Sequence, residues 1–211
     1  MNMNNIFEIS HPLVQHKITM LRDSQTNTKE FRELVKEIST LMWYEVTRDL
    51  PLKEITIDTP LATAQSSIIS GIKLALVPIL RSGLAMAEGI ESIMPSIKIG
   101  HIGLYRDADT LAPKDYYCKL PADIESSEAI LLEPMIATGG SMCAAIDLLK
   151  ARSAKSIKVM GLLAAPEGAK LISEKHPDVK VYVCSIDKGL NEDGYIIPGF
   201  GDAGDRMFGT K

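Results

Sequence analysis

The apolar positions in the first quarter of the chain predict one long amphipathic helix. Between Thr28 and Asp49 they recur at helical spacing on one face: Phe31, Leu34, Val35, Ile38, Leu41 and Met42. Asn27 and Glu30 have the spacing of a capping box, and Pro51 ends the pattern. The following segment, Lys53 to Thr59, alternates apolar and polar residues, which predicts a half-buried strand.

Beyond residue 70, apolar β-rich runs alternate with helical patterns. Strands are predicted at Lys73–Ile79, Ile97–Tyr105, Ala129–Leu132, Ile157–Ala164 and Val179–Ile186. Helices are predicted between most of them, at Leu84–Met94, Met142–Arg152 and Glu167–His176. This alternation is typical of βαβ units and predicts an α/β fold, a doubly wound parallel sheet with helices on both faces.

Two segments lack this regular pattern. Residues 106–123 are polar and contain Pro113 and Pro121, and residues 187–211 form a glycine-rich tail. Long irregular segments of a compact domain are often functional. Because the tail also carries apolar residues, among them Tyr195, Ile196 and Phe200, we expect it to be an ordered cover.

Composition predicts a single soluble domain spanning residues 1–211. Hydrophobic residues make up 45% of the chain and charged residues 24%, and the net charge of −4 argues against a nucleic-acid-binding protein. The cysteines, Cys118, Cys143 and Cys184, are too far apart for a CxxC pair. We find neither a signal-peptide pattern nor an apolar run of about 20 residues that would span a membrane, so a cytoplasmic protein is expected.

The strongest chemical signal lies in residues 129–151. A buried strand ends at Glu133, a short loop follows with Thr138, Gly139, Gly140 and Ser141, and an amphipathic helix then begins. Glycines, helix-terminal amides and hydroxyl groups together favour phosphate binding. The lysine of an ATPase loop is missing, which argues against a triphosphate. A plain helix-entry turn is the alternative on spacing alone.

The sequence "EPMIATGGS", residues 133–141, resembles the phosphoribosyl pyrophosphate motif of type I phosphoribosyltransferases, in the form that uracil phosphoribosyltransferases carry. Pro134 fits that branch, whereas Glu133 stands where the family has Asp. The segments "VPILRSGLAM" (77–86) and "GLYRD" (103–107) resemble its pyrophosphate loop and the start of its mobile loop. Residues 11–23 resemble its N-terminal arm and residues 185–211 its tail, so the resemblance runs from about His11 to Lys211.

The resemblance implies transfer of the phosphoribosyl group to uracil, giving UMP and pyrophosphate. It implies that Ala137 to Ser141 hold the 5-phosphate, that Glu133 binds the ribose hydroxyls, and that Arg81 and Arg106 bind pyrophosphate. Asp202 would reach a substrate-borne Mg²⁺ through water, and these two arginines and two acids are the implied catalytic set. The expected contacts to phosphoribosyl pyrophosphate are Arg81, Arg106, Glu133, Pro134, Met135, Ile136, Ala137, Thr138, Gly139, Gly140, Ser141 and Asp202.

The resemblance also assigns the uracil site to the tail. Backbone groups of Ile196, Gly201 and Ala203, beside Asp202, would complement the acceptor–donor–acceptor edge of uracil and reject cytosine. It implies an N-terminal arm (1–28), a mobile loop closing as a lid (106–123) and a base-binding tail (187–211).

Two other functions are considered. A regulator with this fold would bind UMP or phosphoribosyl pyrophosphate with little activity, and a sibling enzyme would act on xanthine or orotate. The intact tail favours the uracil enzyme over both. A homodimer or higher homo-oligomer is expected by resemblance, whereas regulation by GTP is left open.

Overall fold

The computed structural model describes residues 3–106 and 113–210. In this part of the chain the helices are α1 (Pro12–Arg22), α2 (Thr28–Val46), α3 (Leu84–Glu91), α4 (Gly140–Ala151), α5 (Pro166–Lys175) and α6 (Ala203–Phe208), with a 3-10 turn at Ile124–Ser126. The strands are β1 (Ile6–Glu8), β2 (Leu52–Asp58), β3 (Thr63–Ile69), β4 (Lys73–Leu80), β5 (Lys98–Ile99), β6 (His101–Arg106), β7 (Pro113–Lys119), β8 (Ser127–Leu132), β9 (Met135–Ile136), β10 (Ser156–Ala164), β11 (Lys180–Ile186), β12 (Gly189–Leu190) and β13 (Ile196–Ile197).

The main sheet has the strand order β1-β11-β10-β8-β4-β6-β7, with β5 paired to β4 and β9 to β10. Its pairings are parallel except for β6 with β7. The predicted α/β fold with a parallel sheet is therefore confirmed. The predicted strand Ile97–Tyr105 is divided at Gly100 into β5 and β6.

Alternating side chains of the central strands belong to two separate hydrophobic cores, one on each face of the sheet. Leu74, Leu76, Ile130 and Leu132 pack on one face of the sheet, together with apolar residues of α1, α2, α3 and α6. Their sequence neighbours, such as Val77 and Leu131, pack on the other face against α4 and α5. Burial on both faces explains why these strands read as continuous apolar runs.

The order in which strands are added to the sheet changes direction between β4 and β8. After β4 it continues through α3 to β5 and β6, and after β8 it continues through α4 to β10. The loops leaving the carboxyl ends of β4 and β8 therefore diverge to opposite faces. Such a switch point leaves a crevice in which ligands of open α/β sheets bind.

The strand predicted at Lys53–Thr59 exists, as β2, but the prediction that it is half-buried is wrong for the chain taken alone. It pairs with β3, which the sequence analysis did not find, in a two-stranded antiparallel hairpin. Its residues are exposed except Ile55, which is partly buried. Leu52, Ile57 and Ile68 are each more than a third exposed. Apolar alternation predicts a strand correctly but does not say whether another element covers its face.

The segment 106–123, predicted to be irregular, contains the edge strand β7, antiparallel to β6. Proline and lysine obscured the strand pattern there, although both are tolerated at a sheet edge, where one side of the strand needs no partner. Residues 107–112, the centre of the expected lid, lie outside the described residues. Closure of this segment stays a prediction.

Both ends of the chain pack onto the main body. Segment 1–28 contributes β1, which pairs with β11, and α1, whose Val14, Ile18 and Leu21 are buried. The tail 187–211 contributes the hairpin β12–β13 and α6. None of the helices described is long and apolar enough to cross a membrane.

Candidate active site

A cavity of about 310 Å³ lies at the switch point of the sheet. One wall is the loop that follows β8, and the opposite wall belongs to the tail. Its lining residues are Glu133, Met135, Ile136, Ala137, Thr138, Gly139, Ser141, Met142, Asp193, Gly194, Tyr195, Ile196 and Asp202. The structure thus brings together two segments that are about 60 residues apart in the sequence.

The loop from Ala137 to Ser141 ends at the first turn of α4. Gly139 adopts a left-handed conformation with φ of +80° just before the helix, where a side chain would be strained. Gly139 has no side chain that could cap the helix. The backbone amides of the first helical turn therefore lie uncapped at the end of α4 that borders the cavity. A helix of this length with uncapped amides and nearby hydroxyl groups suits a phosphate group.

The same loop is held from behind by α5. A Cβ atom on Gly168 would lie 2.4 Å from the carbonyl oxygen of Ala137, and one on Gly139 would lie 2.8 Å from the carbonyl oxygen of Gly168. Backbone therefore packs directly on backbone at this point. The amide of Ala165 also donates to the carbonyl of Ile136 at 2.9 Å. The position of the loop is thereby set by main-chain contacts.

Glu133 lies at the centre of the crevice. Its backbone amide donates to the carbonyl of Met160 at 3.1 Å, which extends the pairing of β8 with β10 by one residue. Its Oε1 accepts a hydrogen bond from the hydroxyl of Ser82 at 2.8 Å. Although the residue keeps some surface towards the cavity, burial raises the pKa of its carboxyl to about 7. Hydrogen bonds from Ser82 and the Met135 amide oppose this rise, and the nearby charge of Asp202 adds to it.

Asp202 comes from the tail and precedes α6. Its carboxylate accepts the amide of Asp205 at 2.9 Å and so caps this helix. Beside it, Ile196 is buried in β13, whereas Tyr195 remains partly exposed at the cavity. The tail therefore supplies the cavity with two acids, Asp193 and Asp202, and an apolar wall.

The predicted site residues are mostly near this cavity, but not all of them line it. Pro134 is buried, and its carbonyl accepts the amides of Leu162 and Leu163. Gly140 starts α4 and is not part of the lining. Gly201 lines an adjoining groove that also contains Asp202, and the buried Ala203 begins α6.

The two predicted pyrophosphate arginines are placed differently. Arg81 is exposed after β4, and its guanidinium lies 5.4 Å from the centre of the Phe208 ring in the tail. It does not line the cavity. The backbone of Arg106 ends β6, but its side chain lies outside the described residues.

Sequence analysis missed Ser82, Met142, Asp193 and Gly194 as residues of this region. Ser82 directly follows Arg81, within a segment already assigned to the site. Its contact with Glu133 joins the loops that follow β4 and β8, and these loops are neighbours only in the folded chain. Asp193 and Gly194 lie in the turn between β12 and β13. The glycine in this turn, whose φ is +81° in the structure, was a sequence signal for a turn but not for its place at the cavity.

The donor set does not resemble a resident metal centre. Within residues 3–106 and 113–210, no three histidine, cysteine or acidic side chains form a metal-binding cluster. Mg²⁺ takes oxygen ligands and retains several waters, so the two acids Glu133 and Asp202 suit an ion that is held mainly by substrate oxygens. The residues present fit a magnesium ion that enters with a diphosphate.

Two arginines fasten the tail to the N-terminal segment. Arg22 donates to both oxygens of Asp187, at 2.7 and 2.5 Å, and to the carbonyl of Gly199 at 2.9 Å. Burial opposes ionisation of Asp187, but the Arg22 and Gly199 donors prevail and lower the pKa of its carboxyl. Arg206 donates to four backbone carbonyls and stacks on Phe31 at 4.4 Å. The tail is thus an ordered cover, as predicted.

A wider groove of about 580 Å³ lies beside β1 and the end of α2. Four of its charged residues pair with one another: Arg48 with Glu45, and Lys180 with Asp49. It lies away from the carboxyl ends of the central strands. Chemistry and topology therefore favour the smaller cavity as the active site.

Comparison with known proteins agrees with this geometry. Residues 8–210 match the family model "Uracil phosphoribosyltransferase". The chain is 60% identical to a uracil phosphoribosyltransferase of Caldanaerobacter subterraneus subsp. tengcongensis over 207 residues, covering 98% of this chain and 99% of that one. It is 57% identical to the uracil phosphoribosyltransferase of Brevibacillus brevis over 209 residues, covering 99% of this chain and all of that one.

Solved structures show the same architecture. A protein of Aquifex aeolicus superposes with a TM-score of 0.91 at 36% identity, covering 98% of this chain and 99% of the other. An adenine phosphoribosyltransferase from Trypanosoma brucei, solved with AMP, pyrophosphate and ribose-5-phosphate, gives a TM-score of 0.59 at 14% identity and covers 94% of this chain and 88% of its own. At that identity the second likeness concerns the fold alone.

Proposed function

Because the chain belongs to the uracil phosphoribosyltransferase family, we propose that it transfers the 5-phosphoribosyl group of phosphoribosyl pyrophosphate to uracil, giving UMP and pyrophosphate. The resemblance inferred from the motifs is thereby confirmed at the level of the family. The observation that carries the proposal is the meeting of the loop 137–141 and the tail across one cavity. An enzyme that joins a base to a ribose 5-phosphate must hold the base and the phosphate group on either side of the sugar.

The 5-phosphate binds at the amino end of α4. The uncapped amides after Gly139, together with the hydroxyls of Thr138 and Ser141, surround the oxygens of this anion. Because this group does not react, its binding energy serves to orient the ribose. The backbone contacts from Gly168 keep this anchor in place.

The ribose lies over Glu133. Its ionised carboxylate accepts hydrogen bonds from the ribose hydroxyls, and its charge lies close to the sugar, which becomes cationic as the C1–pyrophosphate bond breaks. Arg81 and Arg106 bind the departing pyrophosphate, since a guanidinium fork can pair with two oxygens. Mg²⁺ would enter with the pyrophosphate group as part of the substrate, and Asp202 would hold it through water.

Uracil binds against the tail. Backbone groups of Ile196, Gly201 and Ala203 complement its acceptor–donor–acceptor edge. Cytosine presents an amino group in place of O4 and would leave a buried donor unpaired, which discriminates strongly. Tyr195 and Ile196 shield the reacting centre from water.

The proposal is tested by measuring pyrophosphate release from phosphoribosyl pyrophosphate and Mg²⁺ in the presence of uracil, cytosine, orotate or xanthine. We expect release with uracil, with UMP formed in equal amount, and essentially none with the other bases. Reactions without a base control for hydrolysis. Equal turnover of cytosine, or no turnover of uracil across metal and nucleotide conditions, contradicts the proposal and favours a sibling enzyme or a regulator, respectively.

Three finer features stay predictions: a cytoplasmic location, a homodimer or higher homo-oligomer, and an effect of GTP. The same assay with and without GTP, together with light scattering of the purified protein, measures the last two. None of them is needed for the chemistry at the cavity.

A further inference from the structure

The loops leaving β4 and β8 touch each other at the switch point. The hydroxyl of Ser82, from the first loop, donates to Oε1 of Glu133, from the second, at 2.8 Å. A Cβ atom on Gly83 would lie 2.3 Å from the carbonyl oxygen of Leu132, the last residue of β8. Close backbone packing therefore fixes Ser82 next to the start of the second loop.

The length of the Glu133 side chain makes this contact possible. An aspartate at the same position would have a carboxylate about one C–C bond, roughly 1.5 Å, closer to its own strand. From there its oxygens would fall short of the Ser82 hydroxyl without a shift of the backbone. The glutamate has one more rotatable bond, whose freedom must be restricted before the carboxylate can face a ligand.

Few other groups restrain that carboxylate among the described residues. It accepts the amide of Met135, and the like charge of Asp202 repels it. The Ser82 hydroxyl is the side-chain donor that holds Oε1 on the β4 side of the crevice. The carboxylate is therefore held between a backbone donor of its own loop and a hydroxyl of the neighbouring loop.

We propose that Ser82 is a positioning residue, which orients the longer Glu133 side chain so that its carboxylate meets the ribose hydroxyls as a shorter acid would. The inference rests on the proposed function, because it deepens the role assigned there to Glu133. It assigns Ser82 no contact with the pyrophosphate. Ser82 and Glu133 thus act as one unit in ribose binding.

A double-mutant cycle tests this unit, with Ser82→Ala, Glu133→Asp and the double variant. Calorimetry measures the affinity for UMP, which contains ribose, and for inorganic pyrophosphate, which does not. Steady-state kinetics measure kcat/KM for phosphoribosyl pyrophosphate. Ser156→Ala is the matched control, since Ser156 donates to Glu128 at 3.0 Å at the opposite end of the same strand, β8.

In the parent, Ser82→Ala should weaken UMP binding and lower kcat/KM by about tenfold or more, the usual size for a hydrogen bond to a charged group. In the Glu133→Asp background the same change should alter both quantities by less than about threefold, because the shorter acid does not reach the hydroxyl. Affinity for pyrophosphate should stay unchanged in all variants, and Ser156→Ala should match the parent.

Equal losses from Ser82→Ala in both backgrounds, or none in the parent, overturn the inference. A parallel loss of pyrophosphate affinity in Ser82→Ala also overturns it, since Ser82 would then contribute to pyrophosphate binding. Failure of the proposed function is distinguishable: a parent that binds UMP but releases no pyrophosphate with uracil refutes the function, and the UMP cycle still decides the role of Ser82. A parent that binds neither ligand refutes both.

Discussion

Glu133 is a pH-sensitive side chain at the centre of the proposed active site. Burial raises the pKa of its carboxyl to about 7, hydrogen bonds from Ser82 and Met135 oppose the rise, and Asp202 adds to it. Near neutrality, the ligand-free protein therefore holds a mixture of protonated and ionised forms. The ionised form offers two acceptor oxygens to the hydroxyls of a ribose, whereas protonation turns one of them into a donor.

This predicts an acid limb in the pH profile. Since the raised pKa leaves the carboxyl protonated at lower pH, kcat/KM for phosphoribosyl pyrophosphate should fall as pH decreases through about 7, approaching tenfold per unit. Glu133→Gln cannot ionise, so its reduced activity should lack this limb. An identical limb in the glutamine variant would assign the titration to another group.

At the scale of elements, the position of the loop 137–141 depends on close contact between α5 and the residues before α4. Gly168 is required because its missing side chain lets the Ala137 carbonyl approach within 2.4 Å of the position a Cβ would occupy. A similar contact exists elsewhere: Gly89 in α3 lies against the carbonyl of Lys36 in α2, also at 2.4 Å. The two glycines allow the effect on the site to be separated from the effect on packing.

We predict that Gly168→Ala and Gly89→Ala both lower the free energy of unfolding by about 1–3 kcal/mol, through overpacking. Only Gly168→Ala should also weaken UMP binding, by about tenfold, because it displaces the amides proposed to hold the phosphate. Denaturant unfolding and calorimetry provide the two measurements. Equal UMP affinity in the two variants would show that the loop tolerates the displacement.

At the scale of the whole molecule, the tail, which carries the proposed base site, is held in place by α1. Arg22 in α1 pairs with the buried Asp187 and binds Gly199, so the N-terminal segment holds the start of the tail against the sheet. In another ion pair of α1, Lys17 with Glu37 of α2 at 2.6 Å, the glutamate side chain is 51% exposed, whereas that of Asp187 is 3% exposed. The two pairs differ chiefly in the burial of the carboxylate.

Arg22→Gln should lower the free energy of unfolding by about 3 kcal/mol, because it leaves the carboxylate of Asp187 buried without its charged partner. It should also raise KM for uracil more than KM for phosphoribosyl pyrophosphate, since we propose that the tail carries the base site. Lys17→Gln should change stability by less than about 1 kcal/mol and leave both constants unchanged. Thermal unfolding and steady-state kinetics check these effects. A variant of Arg22 that behaves like that of Lys17 would contradict the role given to this pair.

Much of the architecture could be predicted from local patterns. Helical periodicity located α2, and continuous apolar runs located the central parallel strands, since both patterns arise from which residues each element buries. The loop at 137–141 was predicted as a phosphate site from its glycines and hydroxyls, whose conformational and donor properties belong to the residues themselves.

Tertiary structure decided what depends on neighbours distant in sequence. The arrangement of the elements, rather than their own residues, decides that β2 is uncovered and that β7 is an edge strand. The contact between Ser82 and Glu133 exists because β4 and β8 are adjacent at the point where the sheet reverses. The sequence by itself determined the chemistry available to this protein, and strand order decided which groups meet, because long-range pairing leaves no local periodicity to read.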